Sequence, residues 1–195
     1  MVLMPSIKLS PEDQATALRI ARASVQHGLS YGAALKLATG DYSLPLQQTL
    51  ASFVTLDKNS QLRGCIGALE AYQPLINDIA EHAYAAAFQD PRFAPLAQSE
   101  FENITIAISV LSKPVPMTFS SEDDLLNQIR AGSDGLILQH GHNRSTFLPS
   151  VWQQLPAKKA FLNQLKIKAG LPAEWWDNTV QISRYNTFLF AENTT

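Results

Sequence analysis

The sequence predicts an α+β fold in which helices pack against a largely antiparallel sheet. Two observations predict this class. Short strands occur in pairs joined by turns, as in β-hairpins, and amphipathic helices separate them without the regular strand-helix-strand alternation of a parallel sheet. The chain has 195 residues, which is enough for one compact unit with at most a small appended lobe.

The first predicted helix begins after Ser10 and runs to about Leu29. Ser10 is a good N-cap, Pro11 suits the first helical position, and the acidic residues that follow favour the positive end of the helix dipole. Apolar residues then recur at spacings of three and four, which predicts one inward face. The next segment, residues 30–48, is predicted to be a short helical piece and a loop.

A β-hairpin and a second helix follow. The strands Ala51–Leu56 and Gln61–Ile66 are joined by residues 57–60, whose side chains favour turns. Pro74 opens a helix that runs to about Gln89 and carries several alanines. Small residues let a helix lie close to a sheet, so we expect this helix to pack on the hairpin.

The clearest strand is residues 104–111, where isoleucine and valine alternate with small residues. A Lys-Pro-Val-Pro segment ends it. Ser121 and Asp124 then form a start resembling a capping box for a helix to about Arg130.

A second hairpin and two further elements complete the chain. The strands 136–140 and 144–148 flank a turn in which Asn143 is predicted to take the left-handed conformation. Apolar residues at helical spacing predict a helix over 158–169, and one last strand is expected within 180–190.

Cys65 is the single cysteine, so no disulfide can form within the chain and no cysteine-rich zinc site exists. The N-terminal residues lack the pattern of a signal peptide, and no stretch approaches the 18 apolar residues of a membrane span. We therefore expect a cytoplasmic protein without a membrane partner.

Charged residues make up 16% of the chain, where about 25% is average. A surface this poor in charge is expected to be covered in part by a partner, and a homo-oligomer is one possibility. The net charge of −2 gives no overall attraction for phosphate backbones. Nucleic-acid binding is therefore the weaker hypothesis.

The most informative stretch is Arg63-Gly64-Cys65-Ile66-Gly67. Two glycines beside a thiol let the backbone approach a ligand, and a guanidinium near a cysteine favours the nucleophilic thiolate. The alternative is structural, because free cysteine usually packs as a small apolar residue and glycines in strands often mark bulges.

Other polar residues carry similar alternatives. His82 could act as a base for Cys65, or it could be a hydrogen-bonded core histidine. Asp90 and Arg92 could pair across the intervening proline, or they could clamp an anionic ligand. His140 and His142 invite a metal hypothesis, but no third ligand lies near them in the sequence, so no metal or other cofactor is predicted.

The sequence resembles the AMMECR family. The resemblance is strongest at Leu62-Arg63-Gly64-Cys65-Ile66-Gly67, a string that is the signature of that family. The resemblance covers about Ser10 to Phe190, and the segment from Phe161 to Leu171 looks like the bacterial branch called protein A of the AmmeMemoRadiSam system. Further matching segments are Phe53–Leu56, Ala86–Phe93, Ile108–Leu111, Asp134–Ile137 and Thr146–Pro149.

The resemblance implies one α+β domain over residues 10–190, with a larger and a smaller lobe, a cleft near the signature, and tails at 1–9 and 191–195. It implies a modification pathway shared with a Memo-like protein and a radical S-adenosylmethionine protein. The candidate nucleophile is Cys65. The candidate substrate-binding residues carried over from the family are Arg63, Gly64, Gly67, Asp90, Arg92 and Thr146.

Two hypotheses of function stay open at this point, beside the weaker nucleic-acid hypothesis. In the first, the protein is an enzyme or enzyme component that binds substrate in a cleft, with Cys65 as nucleophile or radical-accessible thiol and Arg63 or Arg92 holding an anionic group. In the second, it is a non-catalytic adaptor in which Cys65 is structural.

Overall fold

The computed structural model describes residues 8–193. These residues form two units: residues 8–111 with 188–193, and residues 112–187. The predicted tails fall largely outside the described residues. We call the two units the signature unit and the second unit.

The signature unit contains helices and one antiparallel sheet with the strand order β2-β1-β3-β8. In chain order its elements are α1 (Pro11–Tyr31), α2 (Leu44–Gln47), β1 (Ala51–Lys58), β2 (Gln61–Gly67), α3 (Leu75–Phe88), β3 (Ile104–Leu111) and β8 (Thr187–Ala191), with 3₁₀ turns at Thr39–Asp41 and Gln98–Asn103. Strand β8 begins at the last residue of the second unit and continues in the signature unit.

Helix α1 begins as the sequence predicts. Ser10 and Asp13 form a capping box, in which each side chain bonds to the backbone N–H of the other residue. The helix ends at Tyr31, two residues beyond the predicted end, because Gly32 takes a left-handed conformation with φ of 69°. Its inward face is built mainly on small residues such as Ala17 and Ala21.

Helices α1 and α3 cover one face of the sheet, and the apolar core lies between this face and the helices. Alternate residues of a strand point to opposite faces, so β1 and β3 present buried residues to the helices and half-buried residues to the other face. The buried residues are Val54, Leu56, Ile104, Ile106, Ile108 and Val110. We call the other face the cysteine face, made of Phe53, Thr55, Cys65, Thr105, Ala107 and Ser109.

The second unit has its own antiparallel sheet, with the order β4-β7-β5-β6, and its own core. Its elements are β4 (Val115–Pro116), α4 (Glu122–Gln128), β5 (Gly135–His140), β6 (Asn143–Phe147), α5 (Lys158–Lys168) and β7 (Gln181–Tyr185), with a 3₁₀ turn at Pro149–Gln153. Helix α5 buries Phe161, whose ring stacks on Trp152 with 3.8 Å between the ring centroids.

The α+β class and the antiparallel sheets are confirmed, whereas two local predictions are wrong. The segment 180–190 contains two strands rather than one, and they belong to different sheets. Strand β3 ends at Leu111, before the Lys-Pro-Val-Pro segment as predicted, and Val115–Pro116 forms a further short strand that pairs with β7. In the second hairpin Gly141 takes the positive φ, 58°, while Asn143 is a strand residue whose amide donates to the Ala169 carbonyl.

Candidate functional site

Strand β2, which carries the signature, lies at the edge of its sheet. Its register with β1 changes at one point: Gly64 lies opposite Leu56, whereas Leu62 lies opposite Asp57. Arg63 is therefore the extra residue of a β-bulge. Bulges re-aim side chains at strand edges, and this one places Arg63 outside the regular ladder.

The thiol of Cys65 lies on the cysteine face. Its neighbours in the strand, Gly64 and Ile66, pack toward α3 and the core, so Cys65 points the other way. Cys65 is half-buried, and the residue opposite it on β1 is Thr55. The Thr55 hydroxyl donates a hydrogen bond of 3.2 Å to the sulfur.

Asp90 and Arg92 hold the backbone of Cys65 from the open side of the strand. The Cys65 N–H donates to Asp90 Oδ2 at 2.8 Å, and Arg92 Nη2 donates to the Cys65 carbonyl at 3.3 Å. The Arg92 guanidinium also donates hydrogen bonds to both carboxylate oxygens of Asp90, at 2.9 and 2.7 Å. The pair thus satisfies the two backbone groups that an adjacent strand would otherwise bond.

The electrostatics of this pair follow from its hydrogen bonds. Asp90 is buried, yet the bonds from Arg92, helped by the Cys65 N–H, hold the pKa of its carboxyl well below the usual range. The Arg92 side chain remains 54% exposed. Asp90 is therefore an ionised structural anchor, and Arg92 is the member of the pair that solvent or a ligand can reach.

Arg63 makes a second pair of the same kind. Its guanidinium donates to both carboxylate oxygens of Glu100, at 3.0 and 2.9 Å, and to the Ala94 carbonyl. Bonds from Arg63, and then from Lys58, hold the pKa of Glu100 well below its usual range. The ring of Phe93 lies between the two clusters, with the guanidinium carbons of Arg63 and Arg92 5.8 and 5.5 Å from its centroid.

Both glycines of the signature have close neighbours within the protein. A Cβ atom on Gly64 would lie 2.1 Å from the carbonyl oxygen of Ala86 in α3. On Gly67 it would lie 2.3 Å from the Phe53 ring and 2.4 Å from the Ser52 carbonyl oxygen. The absence of a side chain therefore lets the backbone of α3 approach Gly64, and lets the Phe53 ring and the Ser52 backbone approach Gly67.

The structure brings together five of the six candidate substrate-binding residues around Cys65. The sixth, Thr146, belongs to the second unit, where its hydroxyl lies 3.0 Å from that of Tyr185. Burial of Tyr185 raises the pKa of its hydroxyl to about 12.

The histidines do not join this site. His82 is buried on the core side of α3, and its Nδ1 lies 3.1 Å from Asp78 Oδ2, so the core alternative is confirmed and a role as base for Cys65 is wrong. His140 packs against Trp175, with 4.8 Å between the ring centroids. Among residues 8–193, no group of three or more histidine, cysteine or acidic side chains is placed to hold a metal ion.

Sequence reasoning missed Thr55 and Glu100 as parts of the site. Thr55 lies in a segment that matches the family, but its contact with Cys65 depends on the register between β1 and β2. Glu100 is 37 residues from Arg63, and no short motif connects them. The available signal was the alternation in β1, which places Thr55 on the face opposite Val54 and Leu56.

The fold and site define an α+β protein whose edge strand displays one half-buried cysteine, with one arginine-carboxylate pair bonded to its backbone and a second at the neighbouring residue. The sequence matches the AMMECR1 family over residues 18–190, so the chain belongs to this family.

Similar proteins occur in archaea. A protein from Methanothermobacter thermautotrophicus is 36% identical over 191 residues, which cover 95% of this chain and 97% of that protein. One from Thermofilum pendens is 32% identical over 203 residues, covering 96% and 93%. The crystal structure of an uncharacterised protein from Pyrococcus horikoshii superimposes with a TM-score of 0.81 at 28% identity, covering 94% of this chain and 93% of that one.

None of the helices within residues 8–193 combines the length and the apolar character needed to cross a membrane.

Proposed function

We propose that this protein is a component of a modification pathway, that it binds its substrate on the cysteine face, and that Cys65 is its nucleophile. The observation that carries the proposal is the position of the thiol: it lies half-buried on the face opposite the helical core, with the Thr55 hydroxyl donating to the sulfur. A cysteine that served only to fill the core would point toward α3, as Ile66 does.

The proposed chemistry needs a sulfur that attacks and a backbone that stays in place. The Cys65 sulfur would bond to an electrophilic carbon of the substrate, and the bond from that carbon to its leaving group would break. The leaving group would depart with the electron pair and take up the thiol proton. A hydroxyl donor stabilises negative charge on sulfur during this step, and the Asp90–Arg92 pair fixes the strand.

The candidate substrate-binding residues divide by their contacts. Arg92 is proposed to meet an anionic part of the substrate, because its guanidinium is half-exposed beside the Cys65 carbonyl. Arg63, Asp90, Gly64 and Gly67 are proposed to act indirectly, by holding β2 against its neighbours. Thr146 is proposed as a further contact on the family resemblance alone.

The proposed partners are a Memo-like protein and a radical S-adenosylmethionine protein, acting with this chain in the cytoplasm. Family membership supports this assignment. The small side chains at the centre of the cysteine face leave room for a substrate or a partner to approach Cys65. These are Thr55, Ala107 and Ser109.

Replacement of Ala107 by arginine tests where binding occurs. Ala107 lies opposite Thr55 on β3, so a long charged side chain there would cover the centre of the cysteine face. We expect Ala107→Arg to abolish co-purification with the Memo-like and radical S-adenosylmethionine proteins of the same organism. Ala131→Arg, at an exposed position of the second unit, is the matched control and should leave it unchanged.

Circular dichroism establishes that both arginine variants are folded before binding is compared. Partner binding that survives in folded Ala107→Arg would contradict binding on the cysteine face. Absence of binding by the unchanged protein would contradict the partner assignment.

A further inference from the structure

The two edge strands of the sheet in the signature unit, β2 and β8, differ in whether their outward backbone groups can bond to another strand. At β2, a bulge at Arg63 and the Asp90–Arg92 pair interrupt the row of backbone groups that a foreign strand would bond, and both are recognised ways of protecting an edge. Pro91, between the paired residues, has no N–H to offer. Edge β2 is therefore closed to strand addition at Cys65.

The opposite edge, β8, has the sequence Thr-Phe-Leu-Phe-Ala and carries no charge and no proline. Threonine and phenylalanine favour strands, and a neutral edge without a bulge or a cap is the kind that pairs with another strand. Leu189, the middle residue, is 64% exposed.

The register of β8 identifies which of its backbone groups point outward. Ser112 N–H donates to the Asn186 carbonyl, and Glu192 N–H donates to the Ile106 carbonyl, so β8 runs antiparallel to β3. Counting in steps of two from these bonds, Phe188 and Phe190 bond toward β3. Thr187, Leu189 and Ala191 then direct their N–H and C=O groups away from the sheet.

The outward groups of Leu189 have no partner in the part of the chain that the structure describes. Within residues 8–193, strand β8 pairs only with β3, and no residue outside that pairing donates to or accepts from the Leu189 backbone. The same counting places Leu189 opposite Ser109, on the cysteine face.

We propose that β8 is the dimer interface of this protein and that its occupant is β8 of a second copy, paired antiparallel about a two-fold axis at Leu189. An antiparallel strand pair is self-complementary under two-fold symmetry, as a closed dimer requires. Leu189 lies opposite its own symmetry mate, and Thr187 lies opposite Ala191. All three outward-facing residues are then hydrogen-bonded, and the neutral strand brings no like charges together.

Three features support a second copy as the occupant. The outward residues are centred on Leu189, so a two-fold axis midway between Leu189 and its mate pairs all of them. The exposed leucine is buried against its mate in the dimer. The charge content of 16% is also low for a chain whose whole surface faces water.

A single cysteine at position 189 tests this geometry directly. Hydrogen-bonded residues across antiparallel strands have Cα atoms about 5.5 Å apart, within the range of about 4.4–6.8 Å that a disulfide spans. In a Cys65→Ser background, Leu189→Cys is expected to form a disulfide-linked dimer on mild oxidation at micromolar concentration. Leu62→Cys in the same background, at an exposed position of the closed edge, is the matched control and should form no disulfide-linked dimer.

Sedimentation equilibrium gives the second measurement. The unchanged chain, of 21.4 kDa, should sediment as a dimer, and Leu189→Lys should sediment as a monomer because two lysines would face each other across the axis. A chain that is monomeric at all concentrations, or a dimer that persists in Leu189→Lys without a 189–189 disulfide, would overturn the proposal. Neither result bears on the reactivity of Cys65, so the proposed function is tested separately.

Discussion

Replacing Gly64 by alanine is expected to lower the free energy of unfolding of the signature unit by about 3 kcal/mol, at the upper end of the cost of overpacking. The added Cβ would lie 2.1 Å from the carbonyl oxygen of Ala86, and the atom it meets belongs to helix backbone. A flexible side chain could move aside at small cost, whereas here α3 or β2 must shift as a whole. Urea unfolding followed by circular dichroism measures the loss.

Gly40→Ala is the matched control for this experiment. Gly40 has no atom within 4 Å of an added Cβ and is not among the glycines with positive φ. Its replacement should change the free energy of unfolding by less than about 0.5 kcal/mol. If Gly64→Ala were as stable as Gly40→Ala, the close approach of β2 to α3 would be wrong.

Glu122→Gln is expected to destabilise the second unit by about 3–5 kcal/mol, the usual cost of breaking a buried ion pair from one side. Lys166 in α5 is fully buried, and its Nζ contacts Glu122 of α4, the Ala173 carbonyl and the face of Trp176. Without the carboxylate, the buried Lys166 side chain would have no ionic partner among the described residues. All three tryptophans lie in this unit, so their fluorescence reports its unfolding.

Two further variants separate this effect from a general change in surface charge. Asp123→Asn removes a neighbouring exposed carboxylate and should leave stability nearly unchanged. The double replacement Glu122→Leu with Lys166→Met should restore much of the free energy of unfolding that Glu122→Gln loses, because an apolar pair can replace a buried ion pair. Equal stability of Glu122→Gln and Asp123→Asn would contradict the importance of the pair.

The sequence predicts elements well where the signal is local. The cap at Ser10, the Pro-initiated helix α3 and the alternation in β3 each depend on residues within a few positions of one another. The prediction of a single strand within 180–190 is wrong because strand-forming residues lie on both sides of Asn186, where the chain passes from one sheet to the other. Which strand pairs with which is set by distant partners, β3 for β8 and β5 for β7.

The residues of the candidate site were likewise predictable where a local motif contains them. The signature string itself identifies Cys65, Arg63 and the glycines, and the Asp-Pro-Arg spacing allows the pair that the structure contains. The contacts that give these residues their roles are long-range. Glu100 neutralises Arg63 from a 3₁₀ turn, and Thr55 reaches Cys65 only because β1 and β2 pair in one register.

The alkylation rate of Cys65 tests the central claim most directly. In the folded protein at neutral pH we expect iodoacetamide to modify Cys65 at least as fast as in the urea-unfolded chain, since the thiol lies on the cysteine face beside a hydroxyl donor. Thr55→Val, which keeps the shape but removes the donor, should slow the reaction, and Thr55→Ser should restore it. A folded-state rate about a hundredfold below that of the unfolded chain would mean that the thiol reacts only after local opening, and would contradict Cys65 as a nucleophile.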